Sequence, residues 1–352
     1  MKKVILNSMI ILVLMMLLVA CGSNQESSSG SDGSSSSQNN TSSDESQTDG
    51  TLEKYEFSVA HNAPADSHYD QWAQKFKEKV EEENENITIK IHSPGSLGAE
   101  RELIESVLNG SLDIAISSDA PVVNFSDAVG ALSFPFLFEN EEHAYEALDG
   151  EVGEKINKSM EEANLKNLAW METGFYQIFS NEPIRTLNDL DGIDIRAQES
   201  QVQIDFLEAL GTNPTPVSFG ELYVSAEQGV IDAFTSSFAT AVPNNLHEVS
   251  DYMTINNLFY SSAVNVMNND KFNDLPSSVQ DTLLNAAKEA TSFERNFIKE
   301  QSVELRATAE EEGLEIIEDV DNAPFVEAVQ PVYDKYSDKY GDIHQKIFEL
   351  KE

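Results

Sequence analysis

From Tyr55 to Ile116 the chain alternates strand-like and helix-like stretches, and this order limits the fold more than any other feature. Tyr55 to Ala60 alternates polar and apolar residues, as a half-buried strand does. Asp66 or Ser67 can cap the helix that follows, whose apolar residues Tyr69, Trp72, Ala73, Phe76 and Val80 recur at helical spacing. Ile87 to Ile91 reads as a strand and Ser93-Pro94-Gly95-Ser96 as a turn. A second helix carries Leu103, Ile104, Val107 and Leu108; Asn109-Gly110 ends it, and Leu112 to Ile116 reads as a buried strand. Strand, helix, strand, helix, strand predicts a parallel sheet with right-handed crossovers.

The pattern then returns. Ile193 to Ala197 reads as a strand, and Gln203 to Leu210 as a helix with Ile204, Phe206, Leu207 and Leu210 apolar. Thr212 to Val217 is extended and punctuated by proline, Glu221 to Gln228 is helical, and Val230 to Phe234 is another strand. Two short units of this kind predict an α/β fold with two lobes facing a cleft. In open α/β sheets ligands sit outside the carboxyl ends of the strands. Those ends are Ala60-His61-Asn62, Ser117-Ser118, Arg196 and Phe234-Thr235-Ser236. From Ser277, just after Pro276, the chain reads as a charged helix with Val279, Leu283, Leu284, Ala287 and Ala290 on one face.

Ahead of this body, Lys2 and Lys3 precede an uncharged, mostly apolar run from Val4 to Ala20, the layout of a secretory signal. The run falls short of the roughly 20 residues a spanning helix needs. Leu18-Val19-Ala20-Cys21 resembles the bacterial lipoprotein processing box, which implies removal of residues 1–20 and a diacylglycerol on Cys21. Residues 21–50 then form a tether, mostly Ser, Gly, Asn, Gln and Asp, too poor in apolar surface to offset its ordering entropy. The body from Thr51 to Glu352 lies near the upper size for one core. A net charge of −40 excludes nucleic acid and anionic lipid as partners, since either needs a basic face. Cys21 is the one cysteine, so once it is lipidated redox and thiolate chemistry are excluded as well.

Several segments together resemble the DctP-like solute-binding receptors of tripartite ATP-independent periplasmic (TRAP) transporters. In the first half these are Ser96-Leu97-Gly98 with Arg101-Glu102, Asn109 to Asp113, and the run Leu132-Ser133-Phe134-Pro135-Phe136-Leu137-Phe138. In the second half they are Leu187 to Arg196, Asn213-Pro214-Thr215-Pro216 with Phe219, Glu221 and Tyr223, and Gln228-Gly229-Val230-Ile231-Asp232. Their order and spacing carry the resemblance from Phe57 to beyond Phe297.

The resemblance implies a two-lobed periplasmic-binding-protein-like fold that closes on ligand, with long C-terminal helices spanning both lobes. Lobe I is expected to hold residues 51–173 plus 262–301, and lobe II residues 174–261 plus 302–352. The implied function is capture of a small organic acid and its delivery to TRAP permease membrane subunits. The setting is the extracytoplasmic face of a Gram-positive cell membrane, with no cofactor or metal and no need for a second copy.

Arg196 matches the family's carboxylate-binding arginine, and its planar fork of donors suits a carboxylate. Asn62, Ser118, Asp119, Phe219 and Ser236 stand at the strand ends or at matching cleft positions. Tyr176 falls where relatives often carry a second arginine. One cation fewer points to a monocarboxylate or zwitterion rather than a small dianion. Two other readings remain: a binding lipoprotein of an ATP-driven importer or sensor kinase, and a secreted hydrolase with paired carboxylates. The second is weakened by Glu81-Glu82-Glu83 and Glu310-Glu311-Glu312, which read as solvated helix faces, and by the lack of a nucleophile elbow or phosphate loop. The six histidines are scattered and read as surface or cleft hydrogen-bonding residues.

Overall fold

The computed structural model describes residues 53–351. The signal, Cys21 and the tether lie outside the described residues. Among the described residues nine strands build one sheet: β1 (Tyr55–Ala60), β2 (Ile87–Ile91), β3 (Ile114–Ser118), β4 (Leu165–Ser180), β5 (Asp194–Ala197), β6 (Asn213–Pro216), β7 (Ala233–Ser236), β8 (Tyr252–Asn268) and β9 (Glu315–Ile317). Their order is β2-β1-β3-β8-β4-β7-β5-β6, with β9 beside β8. The expected parallel units are present as β2-β1-β3 and β6-β5-β7. They are parts of one mixed sheet, because β3 and β7 both pair antiparallel with long strands between them.

Those long strands, β4 and β8, run antiparallel from Leu165↔Asn268 to Ser180↔Tyr252. At 16 and 17 residues each reaches about 50 Å, enough to cross the whole sheet. β3 pairs with the Ala263–Met267 end of β8, and β7 with the Gln177–Ser180 end of β4. The register between β4 and β8 slips between Glu172/Ser262 and Gly174/Ser261, and again after Tyr176/Phe259. Gly174 (φ 88°) and Asn257 (φ 48°) lie in the left-handed region beside these slips, so each crossing strand bends there.

Helix α1 (His68–Glu83) starts at Ser67, whose side chain accepts from the Asp70 amide, and it buries Tyr69, Trp72, Ala73, Phe76 and Val80 as its spacing predicts. Helix α2 (Glu100–Leu108) ends at Asn109, followed by Gly110 at φ 80°. The expected strand Val230 to Phe234 begins later, at Ala233. Gly229 takes φ 67° and Val230 is exposed, so the turn after the preceding helix runs on toward the strand. The long helix Ser277–Glu311 packs on α1 and β4 and reaches the short helix Phe238–Ala241.

The C-terminal segment 302–352, expected in lobe II, packs on both halves of the chain. Helix Ala323–Lys335 packs on Gln201–Ala209. Helix Ser337–Glu349 packs on residues 127–132 and 151–162, which were expected in lobe I. The reason is the buried Phe134 ring, which gathers Tyr333, Tyr336, Tyr340 and His344 around it. The Tyr340 hydroxyl donates to the Asp127 carbonyl at 3.0 Å. No helix among the described residues is long and apolar enough to cross a membrane.

Candidate functional site

Three adjoining cavities open at the carboxyl ends of β1, β3 and β5, and Asn62 and Phe219 line all three. The inner one is narrow, about 30 Å³, with Ser118 and Tyr176 in its wall. The next is larger, about 350 Å³, and contains Arg196. Parallel strands bring these residues together because their ends share one edge, which is where the sequence placed the cleft.

Arg196 is 4 % exposed and carries the charge that defines the site. Its Nε donates to the Val217 carbonyl at 3.0 Å. Burial holds its pKa below the usual arginine value; Tyr176, Glu100 and Glu199 act against that from nearby. Among the described residues no carboxylate forms an ion pair with it. A buried cation without a protein counterion is costly, and an entering carboxylate removes that cost.

Glu100 stands in the first turn of α2 and lines both the inner and the Arg196 cavities. It accepts from the Ser118 amide at 2.7 Å and the Ser118 hydroxyl at 2.9 Å. Burial pushes its carboxyl up, against the pull of those two bonds. Glu100 was not among the expected site residues, since an acid in a helix's first turn reads as dipole complementation. Gln198 also lines these two cavities. It lies two residues beyond Arg196 and therefore continues on the same side as the strand ends, a period-two signal the sequence did offer.

Two expected residues are turned elsewhere. Asp119 is 2 % exposed, and its carboxylate accepts from the Ser262 hydroxyl at 2.8 Å and the Ser262 amide at 3.2 Å. It ties the end of β3 to β8, and burial pushes its pKa up to about 6. Ser236 is buried in β7 opposite Gln177, with its hydroxyl on the Ser237 carbonyl, and lines none of the three cavities. Thr240 and Asn244, just beyond it, do reach the inner cavity.

Four histidines differ from the expectation of surface or cleft positions: His61, His143, His247 and His344 are buried and line none of the three cavities. His68 lines the inner cavity while its Nδ1 meets Glu294 Oε1 at 2.9 Å. Burial drives its pKa down to about 3, so the ring is neutral. His247, Glu248 and Glu312 lie close enough together to approach one ion. Both carboxylates there are exposed, and His247 Nε2 is already bonded to Glu312.

Comparison with known proteins bears on the same region. The family model for bacterial extracellular solute-binding protein, family 7 (DctP), matches residues 59–339. The 2,3-diketo-L-gulonate-binding periplasmic protein YiaO of Escherichia coli strain K12 is 30 % identical over 259 residues, covering 73 % of this chain and 79 % of YiaO. A crystal structure of a TRAP periplasmic solute-binding protein from Polaromonas sp. JS666, bound to D-erythronate, superposes with a TM-score of 0.82 at 27 % identity. It covers 85 % of this chain and all (100 %) of that one. A second, from Pseudomonas putida F1 with bound D-glucuronate, gives a TM-score of 0.81 at 29 % identity over 84 % of this chain and 98 % of that one.

Proposed function

This chain belongs to the bacterial extracellular solute-binding protein family 7, the DctP family, and from that premise we propose that Arg196 anchors a monocarboxylate in the cleft. The protein is an extracytoplasmic TRAP-type receptor for small organic acids, serving uptake through a membrane permease. The finer reading rests on one observation: the Arg196 guanidinium is buried at the cavity wall with no carboxylate of its own.

The rest of the wall suits a ligand that carries hydrogen-bond donors. Glu100 is an acceptor, and Asn62, Ser118, Gln198 and Thr240 can both donate and accept. Tyr176 and Phe219 supply apolar faces. A hydroxylated acid meets all of these at once. Arg101 also lines the Arg196 cavity but is paired with Glu105 at 3.3 Å. The other charged groups there, Glu100, Glu102, Glu199 and Glu221, are acids that oppose the second charge of a compact dianion. Relatives that bind diketogulonate, erythronate and glucuronate are consistent with this class.

Ligand entry draws the two ends of the sheet together about the bends at Gly174 and Asn257, near the expected division at residues 173/174 and 261/262. Binding favours the closed form because only there do Arg196 and the first-half wall touch one ligand. Cys21 carries the lipid that keeps the body at the membrane; labelling with a palmitate analogue, lost in Cys21→Ala, checks this.

The test of the ligand class is a melting panel of sugar acids, hydroxy acids, 2-oxo acids, dicarboxylates and zwitterions. A ligand that binds only the folded state adds about 2.7 kcal/mol at a hundredfold excess over Kd. The largest Tm shift is expected from a hydroxylated monocarboxylate. A larger shift with four-carbon dicarboxylates would overturn the single-cation reading.

A further inference from the structure

Behind the ligand cavity a hydrogen-bonded line of buried groups passes through the bend in β4. His68 Nδ1 meets Glu294 Oε1 at 2.9 Å, and Glu294 Oε2 accepts from the Glu172 amide at 3.3 Å. The Glu172 carboxylate in turn takes the Tyr145 hydroxyl. His68 opens on the ligand cavity, while Tyr145 lines a separate groove together with Trp170 and Arg295. Glu294 is 0 % and Glu172 3 % exposed. Four elements are thereby joined at one point: α1, helix Glu141–Asp149, the long helix and β4 two residues before Gly174.

The charge balance here is unusual. Among the described residues Arg295 is the one cation near the two acids; it pulls both carboxyls down only in part, its Nε has no partner, and its terminal nitrogens are bonded elsewhere. Its terminal nitrogens reach both Asp149 oxygens at 2.6 and 2.9 Å and the Trp170 carbonyl at 2.8 Å, and its guanidinium stacks 4.2 Å from the Tyr145 ring. The remaining groups facing the pair bring no positive charge. They are neutral His68 and Tyr69 from α1, Glu141 and Tyr145 from helix Glu141–Asp149, and Tyr260 from β8. Two carboxylates in a dry site with no free cation cannot both ionise.

We propose that Glu172 and Glu294 form a proton store that holds the bend in β4, so that loss of their protons at alkaline pH loosens the closed cleft. The proposal takes the two-lobed cleft as given and needs no particular ligand. Burial, then the neighbouring Glu294, pushes Glu172 up to about 8, and burial raises Glu294 strongly. Both acids have folded values above their unfolded ones. Their stabilisation is therefore complete below the unfolded carboxylate range; that of Glu172 declines as pH rises through about 8, and that of Glu294 as pH rises through its own raised value. On this proposal the form with the bend in β4 relaxed is the one that releases protons.

The cleft's separation can be read without ligand. Leu97 and Val224 are exposed, and each adjoins residues lining the cleft cavity between Gly98 and Tyr223. With Cys21→Ala, the changes Leu97→Cys and Val224→Cys leave two thiols for spin labels. Double electron–electron resonance would compare distances at about pH 6 and about pH 9, where exposed carboxylates are ionised throughout. The labelled protein is expected to show longer distances at the higher pH, and the same protein with Glu172→Gln and Glu294→Gln to show none of this change. Glu172→Gln alone, which keeps an oxygen for Tyr145, should reduce the response and serves if the double variant does not fold. An unchanged distribution in the labelled protein, or an equal response in either Gln variant, overturns the proposal. Because no acid is added, this result is independent of whether Arg196 binds a carboxylate.

Discussion

Arg196 and Glu294 are both buried charge-bearing side chains, and the protein treats them in opposite ways. Glu294 is surrounded: His68 and the Glu172 amide occupy its two oxygens, and burial keeps its proton on. Arg196 is left incomplete, with one backbone carbonyl and no carboxylate. A fully partnered buried group supports the fold, whereas a partly partnered one leaves free energy for a ligand to recover. On the proposed reading the difference separates scaffold behind the cleft from site within it.

The contrast breaks most directly at Arg196. Arg196→Ala should weaken binding of the best acid by roughly 30-fold or more, since removing one member of a buried charge pair costs about 2–5 kcal/mol. Without ligand the variant should be as stable as the parent or more so; calorimetric titration and a urea melt check the two halves. A ligand-free protein that unfolds on this change would make Arg196 scaffold.

At Glu294 the pattern inverts. Glu294→Ala leaves His68 and the Glu172 amide without their partner and should cost about 1–3 kcal/mol in stability. Urea denaturation near neutral pH reads it directly. Glu294→Gln, which keeps the shape and a neutral donor, should lose less.

A weaker effect tests neutral buried groups at the acid end. Burial holds His344 down to about 4, with its ring on the Ala131 carbonyl at 3.0 Å. Its folded value lies below the unfolded one, so its stabilisation is present above about 6.5 and is lost as pH falls through about 4. His344→Gln should flatten that limb of an acid melt. An identical limb in the variant would show that other groups set it.

The smallest expected difference sharpens the boundary of the site. Ser118→Ala removes a donor from Glu100 at the cavity wall and should weaken acid binding by about 1 kcal/mol. Ser236→Ala, beneath the wall, should leave affinity unchanged. Equal effects from the two would return Ser236 to the cleft.

Much of the fold was legible because its short strands and helices carry simple periods. β1, β2, α1 and the long helix sit close to where spacing placed them, each half-buried with one apolar face. β4 and β8 were not legible from periodicity. They are buried on both sides over most of their length, so the alternation that marks a strand is missing from Leu165–Ser180 and Tyr252–Asn268.

The site divides in the same way. Arg196, Asn62, Ser118, Tyr176 and Phe219 meet at the cavities because strand ends and their following loops gather at one edge. Asp119 and Ser236 satisfy the same rule of position, yet Ser262 and the β7 pairing claim them. Glu100 was not singled out in the sequence, and His68 read only as one of several scattered surface or cleft histidines; both line the inner cavity through the packing of α1 and α2.

The sequence by itself determined most of the short strands and helices of the two parallel units, that their ends would form a cleft, and that an arginine would stand at one of those ends. Those follow from local spacing and from chain order, which are properties of neighbours along the chain. Tertiary structure alone decided which polar groups already have partners. Glu294 meets His68 across 226 positions and Ser262 meets Asp119 across 143, and desolvation depends on everything that surrounds a group in space. Whether a buried charge serves the fold or waits for a ligand is set by those distant contacts.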